Sequence, residues 1–139
     1  ERGRDVSVIL DLMIHDLGLV LELVHSPIQK ITVHSHHTKN GLTDEANVLL
    51  QFDNGTTAHL SASRIHFENE RTLQIFQDST LIELDFQSKQ WVMNVNHQEN
   101  TFDYSATDHD TLLLEITEFI KSIQHKTQPL FTGEQGYQA

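Results

Sequence analysis

Cysteine is missing from this sequence of 139 residues, and proline, glycine and basic residues are scarce. Without cysteine the chain can form no disulfide bond and no thiolate nucleophile, which agrees with a location in the cytoplasm. With two prolines and six glycines, the sequence contains no low-complexity run and no internal repeat. Its length favours a single domain, residues 1–139, with a modest core.

Positive charge is also scarce, since the chain has nine Lys and Arg residues and twenty Asp and Glu residues. The resulting net charge of -11 repels phosphate backbones and excludes nucleic acid as a partner. No run of about 18 apolar residues is free of charge, so we expect no membrane span. The chain begins with glutamate and ends in "GEQGYQA", and we expect it to be a fragment of a longer protein.

Residues 7–25 carry apolar side chains at helical spacing, and Ser26 and Pro27 end this predicted helix. The strand "IQKITVHSHH" and the polar loop "KNGLTDE" follow. "ANVLLQFDNGTTAHLSASRI" predicts a hairpin around Asn54-Gly55, the favoured dipeptide of two-residue turns. Three more strands are predicted in "RTLQIFQD", "TLIELDF" and "QWVMNVNH".

A second helix is predicted in "TLLLEITEFIKSIQHKTQP", with a capping box at Thr107 and Asp110 and an end at Pro129. Strands joined by short turns pair antiparallel. The pattern therefore predicts an α+β fold: a mostly antiparallel, open-faced sheet of about six strands, with helices packed on one face.

An open sheet face needs a partner to cover its apolar side chains. The alternating strands offer such side chains on both sides, among them Val48, Leu50, Phe52, Leu73 and Ile75. Since helices can cover one side only, we expect a homodimer or higher homo-oligomer packed sheet on sheet.

Two polar residues, Asp11 and His15, interrupt the apolar run of the first helix. Residues four apart lie on the same side of a helix, so a carboxylate there can orient an imidazole that works as a general base. The alternative is structural: Asp11 caps the helix or simply contacts His15. The surrounding leucines and isoleucines favour the first interpretation, because polar groups enclosed by apolar ones must be used or satisfied.

Other polar groups give weaker signals. His15-Asp16 resembles the dipeptide of metal phosphohydrolases, but the further ligands such a site needs on helices are missing. The histidines of residues 34–37 lack a neighbouring carboxylate or cysteine, so we assign no metal site. Arg64 could meet an anionic ligand or form a surface ion pair. No G-x-G-x-x-G loop is present.

Acidic residues gather before the second predicted helix, at Asp103, Asp108 and Asp110. They lack the ligand spacing of a calcium loop. We interpret them as charge at the start of the helix, where a carboxylate is favourable.

The layout resembles the C-terminal domain of the Gfo/Idh/MocA oxidoreductases across nearly the whole chain. "LDLMIHDLGLVLEL" resembles the D-x-x-x-H helix of the family, with Asp11 and His15 at the motif positions. "ANVLLQFDNGTTAHLSAS" resembles the central hairpin, and "LLLEITEFIKSIQHKTQPLFTGEQGYQA" resembles the closing helix and the segment after it. Within the family, "DVSVILDLMIHD" is most similar to bacterial enzymes that oxidise the sugar 3-hydroxyl of UDP-N-acetylglucosamine.

The resemblance implies an enzyme with an N-terminal Rossmann domain, absent here, that binds NAD or NADP. It implies that His15 is the general base, that Asp11 orients it, and that Asp16 and Arg64 contact a sugar or nucleotide-sugar substrate. No cofactor-binding residue is expected in this chain. Three departures from the family bear on the substrate: Val6-Ser7 replaces the usual Gly-Gly, Gly18 stands where many relatives carry Asp, and the "EKP" lysine is missing.

A rival interpretation is a non-catalytic α+β module that dimerises through its sheet. The neighbouring sequence distinguishes the two, because a G-x-G-x-x-G loop after a strand marks a dinucleotide-binding domain.

The resemblance makes a direct prediction for the isolated chain. It should neither bind NAD nor catalyse a reaction, because the glycine-rich loop that holds a dinucleotide is missing. Calorimetric titration with NAD measures this, and a binding isotherm would contradict it.

Overall fold

The computed structural model describes residues 6–37, 41–67, 69–105, 110–129 and 132–138. They form two compact units. The first contains the described residues up to 67 together with 132–138, and the second contains 69–129. That residues 1–139 act as a single domain stays a prediction.

The first unit contains a three-stranded antiparallel sheet in the order β1-β2-β3. The strands are β1 (Ile28–His37), β2 (Thr43–Phe52) and β3 (Thr57–Ser63). β2 and β3 form the predicted hairpin, and Gly55 in its turn has a φ of 85°, which glycine adopts without strain. The loop predicted over "KNGLTDE" is wrong at its end, since β2 already begins at Thr43.

The predicted first helix is confirmed, but it begins with a turn of a different kind. A π-helical segment (Ile9–Met13) leads directly into the α-helix α1 (Ile14–Val24). α1 ends at His25, whose φ of 46° is left-handed and which directly precedes Ser26 and Pro27. Single π-turns of this kind occur frequently at functional sites.

The core of the first unit lies between this helical run and one face of the sheet. Its buried members alternate along β2 and β3, as a half-buried strand requires. They are Val8, Met13, Val20, Ala46, Val48, Leu50, Phe52, Leu60 and Ala62. Val48, Leu50 and Phe52 thus belong to the face that the helix covers, and they are not available to a second copy of the chain.

A short helix, α3 (Gly133–Gln138), completes the first unit. The Thr132 amide donates to the Gln135 side chain, and the Gln135 amide donates to the Thr132 hydroxyl, at 2.7 and 3.2 Å. This reciprocal pair is a capping box that the sequence analysis missed. Gln135 Nε2 also donates to Glu22 Oε2 at 2.9 Å, which ties α3 to α1.

The second unit contains an antiparallel sheet of four strands in the order β4-β5-β6-β7. The strands are β4 (Thr72–Gln77), β5 (Thr80–Asp85), β6 (Gln90–Val95) and β7 (Gln98–Asp103). β7 was not predicted, because "QENTFD" carries a single apolar residue. The described part of the chain therefore has seven strands, and the predicted open-faced α+β fold is confirmed.

One face of the four-stranded sheet is apolar, and we call it the tryptophan face. The register places its side chains opposite one another on neighbouring strands. Trp91 and Phe102 stack there with ring centroids 4.1 Å apart. The members of the tryptophan face are Leu73, Ile75, Ile82, Leu84, Trp91, Met93, Val95 and Phe102. The opposite face carries mostly polar and acidic side chains, Glu83 and Asp85 among them.

The helix of the second unit, α2, spans Thr111–His125. Its N-cap is Asp110, whose carboxylate accepts from the amides of Leu112 and Leu113. The capping box predicted from Thr107 is therefore wrong, and Thr107 itself lies outside the described residues. Lys126 ends the helix in a left-handed conformation, before Pro129. The apolar side chains of α2 are about half exposed along its length, among them Leu112, Ile116, Phe119, Ile120 and Ile123.

The packing of β2 makes a quantitative prediction. Leu50 is 1% exposed and Leu49, its neighbour on the opposite face, is 39% exposed. Leu50→Ala should lower the free energy of unfolding by about 2–5 kcal/mol, because it leaves a cavity in the core. Leu49→Ala should change it by about 0.5 kcal/mol. Urea denaturation of both variants measures the difference, and equal losses would contradict the assigned faces.

Candidate functional site

The site predicted from the sequence centres on Asp11, and the structure gives this residue an unpredicted partner. Arg64 Nη2 donates to Asp11 Oδ2 at 2.7 Å. The Nη1 of the same guanidinium donates to the Val6 carbonyl at 2.6 Å. Asp11 and Arg64 are 53 residues apart in sequence, so no local pattern announces this contact.

Arg64 is placed by the end of the hairpin. Its backbone amide donates to the Asp44 carbonyl at 2.9 Å, which extends the pairing of β2 and β3. Asp44 Oδ1 lies 3.9 Å from Arg64 Nη1, so a second carboxylate borders the guanidinium. The Arg64 side chain is only 18% exposed. The two alternatives predicted for Arg64 were an anionic ligand and an ion pair, and the ion pair is confirmed by its bond to Asp11. Its contact with a substrate stays a prediction.

His15 lies one helical turn beyond Asp11, on the exposed side of α1. Both residues belong to the part of the chain that the structure describes, and no hydrogen bond joins them there. The expectation that apolar residues enclose the pair is wrong. The side chains that this segment buries are Val8 and Met13, while the neighbouring leucines at positions 10 and 12 are exposed like the pair itself.

Asp16, predicted to contact the substrate, is half-buried at the start of α1. It takes part in an interaction within the chain. Its predicted role toward a substrate is not tested by this geometry and stays a prediction.

The histidine cluster at the end of β1 is divided between the two faces of the strand. His37 lies between two hydroxyls, with Nδ1 3.2 Å from Thr43 Oγ1 and Nε2 3.3 Å from Ser35 Oγ. His34 and His36 belong to the opposite face, where His36 pairs with Glu45 across the strands. Within the described ranges, no three His, Asp or Glu side chains converge as metal ligands would.

The acidic residues near the second helix have separate roles. Asp103 ends β7 instead of starting the helix, which corrects its predicted role. Hydrogen bonds from the Ser105 hydroxyl and amide lower the pKa of the Asp103 carboxyl below its usual value. Asp110 is the helix cap, as the prediction of charge at a helix start requires. Asp108 lies outside the described residues.

The site combines an exposed imidazole with a carboxylate held by a guanidinium. Such an imidazole is accessible to a substrate and can accept a proton from it. A dinucleotide needs backbone amides at a glycine-rich turn for its phosphates, and the sequence has no such turn. Binding of a nicotinamide cofactor outside this chain therefore stays a prediction.

Comparison with known proteins identifies the family of this chain. The sequence profile of the GFO/IDH/MocA C-terminal domain matches residues 2–83, more than half of the chain and the part that holds Asp11, His15 and Arg64. The chain belongs to the Gfo/Idh/MocA oxidoreductase family, as a C-terminal domain.

A curated relative is UDP-N-acetylglucosamine 3-dehydrogenase of Acidithiobacillus ferrooxidans, 35% identical over 85 residues. The match covers 61% of this chain and 27% of that protein. A crystal structure of UDP-N-acetylglucosamine 3-dehydrogenase GnnA from the same organism superimposes with a TM-score of 0.90 at 29% identity. That match covers 97% of this chain and 44% of the solved chain.

Less similar solved structures share the fold. An oxidoreductase from Agrobacterium radiobacter, solved with NAD+, L-tartaric acid and magnesium, has a TM-score of 0.76 at 16% identity. This match covers 93% of the present chain and 42% of that one. The chain thus spans less than half the length of each of these relatives. Among the described helices, none has the length and apolar character that crossing a membrane requires.

The exposure of the ion pair predicts its effect on stability. Asp11→Asn should change the free energy of unfolding by about 0–1 kcal/mol, because the Asp11 side chain is 40% exposed and solvent weakens such pairs. Urea denaturation measures this. Glu118→Gln is a matched control, since Glu118 accepts from Lys121 at 2.7 Å on exposed α2. A much larger loss for Asp11→Asn than for the control would contradict the expectation.

Proposed function

We propose that this chain is the C-terminal domain of an NAD(P)-dependent dehydrogenase that oxidises a hydroxyl of a sugar or nucleotide sugar. The domain would supply substrate contacts, the general base and an oligomer interface. The observation that carries the proposal is the exposed His15, one turn from the Arg64-held Asp11, inside the segment matched by the family profile. A fold alone supports no particular reaction. The proposal therefore rests on the residues of the candidate site.

The proposed substrate is UDP-N-acetylglucosamine, and the proposed reaction is oxidation of its 3-hydroxyl. The name of the curated relative and its 35% identity support this choice. So does the crystal structure of GnnA, which superimposes on 97% of the chain.

In the proposed reaction His15 accepts the proton of the reacting hydroxyl. Its exposure lets a sugar hydroxyl approach within hydrogen-bond reach, as a general base requires. Asp11 lies one turn away on the same side of the helix and is proposed to orient the imidazole. Asp16, which follows His15 in the first turn of α1, is proposed to contact the sugar.

The hydride acceptor in this class of reaction is a nicotinamide. We assign its binding to an N-terminal Rossmann domain outside this chain, because the glycine-rich loop is missing here and the chain spans 44% of the GnnA chain. NAD-containing structures within the family support a nicotinamide cofactor. A cytoplasmic location is part of the same proposal.

A second copy of the chain is the proposed partner of the tryptophan face. This face of the β4–β7 sheet presents eight large apolar side chains without a charge among them, in a chain of net charge -11. The stacked pair Trp91 and Phe102 has the aromatic character of an interface anchor. The rival function, a non-catalytic dimerisation module, is favoured by the same face.

The base assignment predicts a kinetic result. In the longer protein that contains this chain, His15→Ala should reduce turnover about 10²–10⁴-fold, the usual contribution of a positioned base. Reduction of NAD in the presence of UDP-N-acetylglucosamine measures it. His125→Ala removes an exposed imidazole from α2 and should leave turnover unchanged. Full activity of His15→Ala would show that this residue is not the base.

The proposed interface predicts a change of mass in solution. Trp91→Glu places a charge on the tryptophan face and should shift the protein from oligomer to monomer in sedimentation velocity. Val92→Glu places the same charge on the opposite face of β6, so it should leave the oligomer intact. If the unsubstituted protein sediments only as a monomer at high micromolar concentration, the oligomer proposal is wrong.

A further inference from the structure

The guanidinium of Arg64 connects the end of the hairpin to the segment that carries Asp11. It donates to the Val6 carbonyl at 2.6 Å and to the Asp11 carboxylate at 2.7 Å. A guanidinium is planar, and its donors point in fixed directions. The two contacts therefore fix the Asp11 side chain and the Val6 backbone relative to one another.

One of these two contacts lies before the π-helical segment, and the other lies at its centre. Val6 precedes the segment, and Asp11 is its central residue. The position of His15, which follows directly in α1, depends on how this turn is wound. Arg64 itself is anchored, because its backbone amide donates to the Asp44 carbonyl at 2.9 Å. The guanidinium thus transmits the position of the sheet to the helix that carries the base.

The same contacts argue against a direct role of Arg64 in binding an anionic substrate. An arginine that binds a phosphate needs donors directed outward, but these donors are directed to groups of the chain and the side chain is 18% exposed. The carboxylate of Asp44, 3.9 Å from Nη1, further lowers the attraction for an anion.

We propose that Arg64 is a positioning residue, which holds Asp11 and the π-helical segment and thereby sets the place of His15, and that it does not bind the substrate. This inference rests on the proposed dehydrogenase function. A displacement of about 1 Å at a catalytic group can cost about 10²-fold in rate. The role should therefore appear in kcat and not in KM.

The first test compares two arginine variants of the longer protein. Arg64→Ala should lower kcat about 10–100-fold and leave KM for UDP-N-acetylglucosamine unchanged. Arg71→Ala is the matched control, since Arg71 lies over the Phe86 ring at 5.1 Å in the other unit. It should change neither constant. Arg64→Lys should fall between, because an ammonium cannot reproduce the planar fork.

The second test separates positioning from loss of folded protein. Guanidinium ion, added at low millimolar concentration, should restore part of kcat in Arg64→Ala by occupying the vacated position. It should not raise kcat in Asp11→Asn, which lacks the carboxylate that the ion would bind. It should not raise kcat in Arg71→Ala either, because the kcat of that variant is expected to be unchanged. The double variant Arg64→Ala/Asp11→Asn should be no slower than the slower single variant, because both changes break the same contact between Arg64 and Asp11.

The opposite results overturn the inference. A raised KM with unchanged kcat in Arg64→Ala would make Arg64 a substrate contact. Single effects that multiply in the double variant would show that Arg64 does not act through Asp11. Absence of rescue by guanidinium would assign the loss to folding.

A third measurement keeps the inference distinct from the proposed function. Amide hydrogen exchange over residues 9–15 of the same protein should accelerate in both Arg64→Ala and Asp11→Asn, at least as much in Arg64→Ala because it also loses the Val6 contact, and it should not accelerate in Arg71→Ala. If the unsubstituted protein turns over no substrate, the proposed function fails, while exchange still decides whether Arg64 holds the segment. Unchanged exchange in Arg64→Ala overturns the inference whatever the activity.

Discussion

The burial of one face of β2 under the helical run is the constraint on which the candidate site depends. Leu50 and Met13 are almost fully buried on opposite sides of this contact. Because the helical run must turn its apolar side to β2 and β3, Asp11 and His15 are left on its exposed side. The site is thus a consequence of core packing: the residues that stabilise the unit also decide which side chains meet solvent.

A second constraint acts on this arrangement. The β2–β3 hairpin delivers Arg64 to the start of the helical run, where the guanidinium bonds to Asp11. Helix packing alone fixes which side His15 occupies, while the ion pair fixes how the π-helical turn before it is held. The energy of a partly exposed pair of this kind is small. Its importance for the site therefore lies in geometry rather than in stability.

Local patterns in the sequence were sufficient for much of the fold. The hairpin around Asn54-Gly55 and the alternation in β2 follow from rules that involve neighbours in sequence, and both predictions were confirmed. The two-residue turn was wrong in detail, because the Gly55 amide donates to the Phe52 carbonyl and makes Asp53 and Asn54 the central residues of the turn. β7 was not predicted, because nearly all of its residues are polar and show no apolar alternation. It forms a strand through its antiparallel pairing with β6. The cap of α3 was also not predicted, although Thr132 and Gln135 have the spacing of a capping box.

The candidate site was predicted in composition but not in geometry. Spacing placed Asp11 and His15 on one side of a helix, yet it could not tell which side is buried, because Leu10 and Leu12 are apolar and nevertheless exposed. The pairing of Asp11 with Arg64 depends on tertiary structure, since the two residues are far apart in sequence. Local patterns therefore identified Asp11 and His15 as candidate site residues. Only the tertiary structure showed that Asp11 pairs with Arg64.

The central claim is that the longer protein oxidises the 3-hydroxyl of UDP-N-acetylglucosamine by transferring the hydrogen of carbon 3 to a nicotinamide. The most direct measurement follows the hydrogen on carbon 3. The longer protein is supplied with NAD and with UDP-N-acetylglucosamine carrying deuterium at that carbon, and the reduced nicotinamide is analysed by mass spectrometry. The account predicts that the deuterium is found in the reduced nicotinamide. Reduced nicotinamide without deuterium, or none at all, would contradict it.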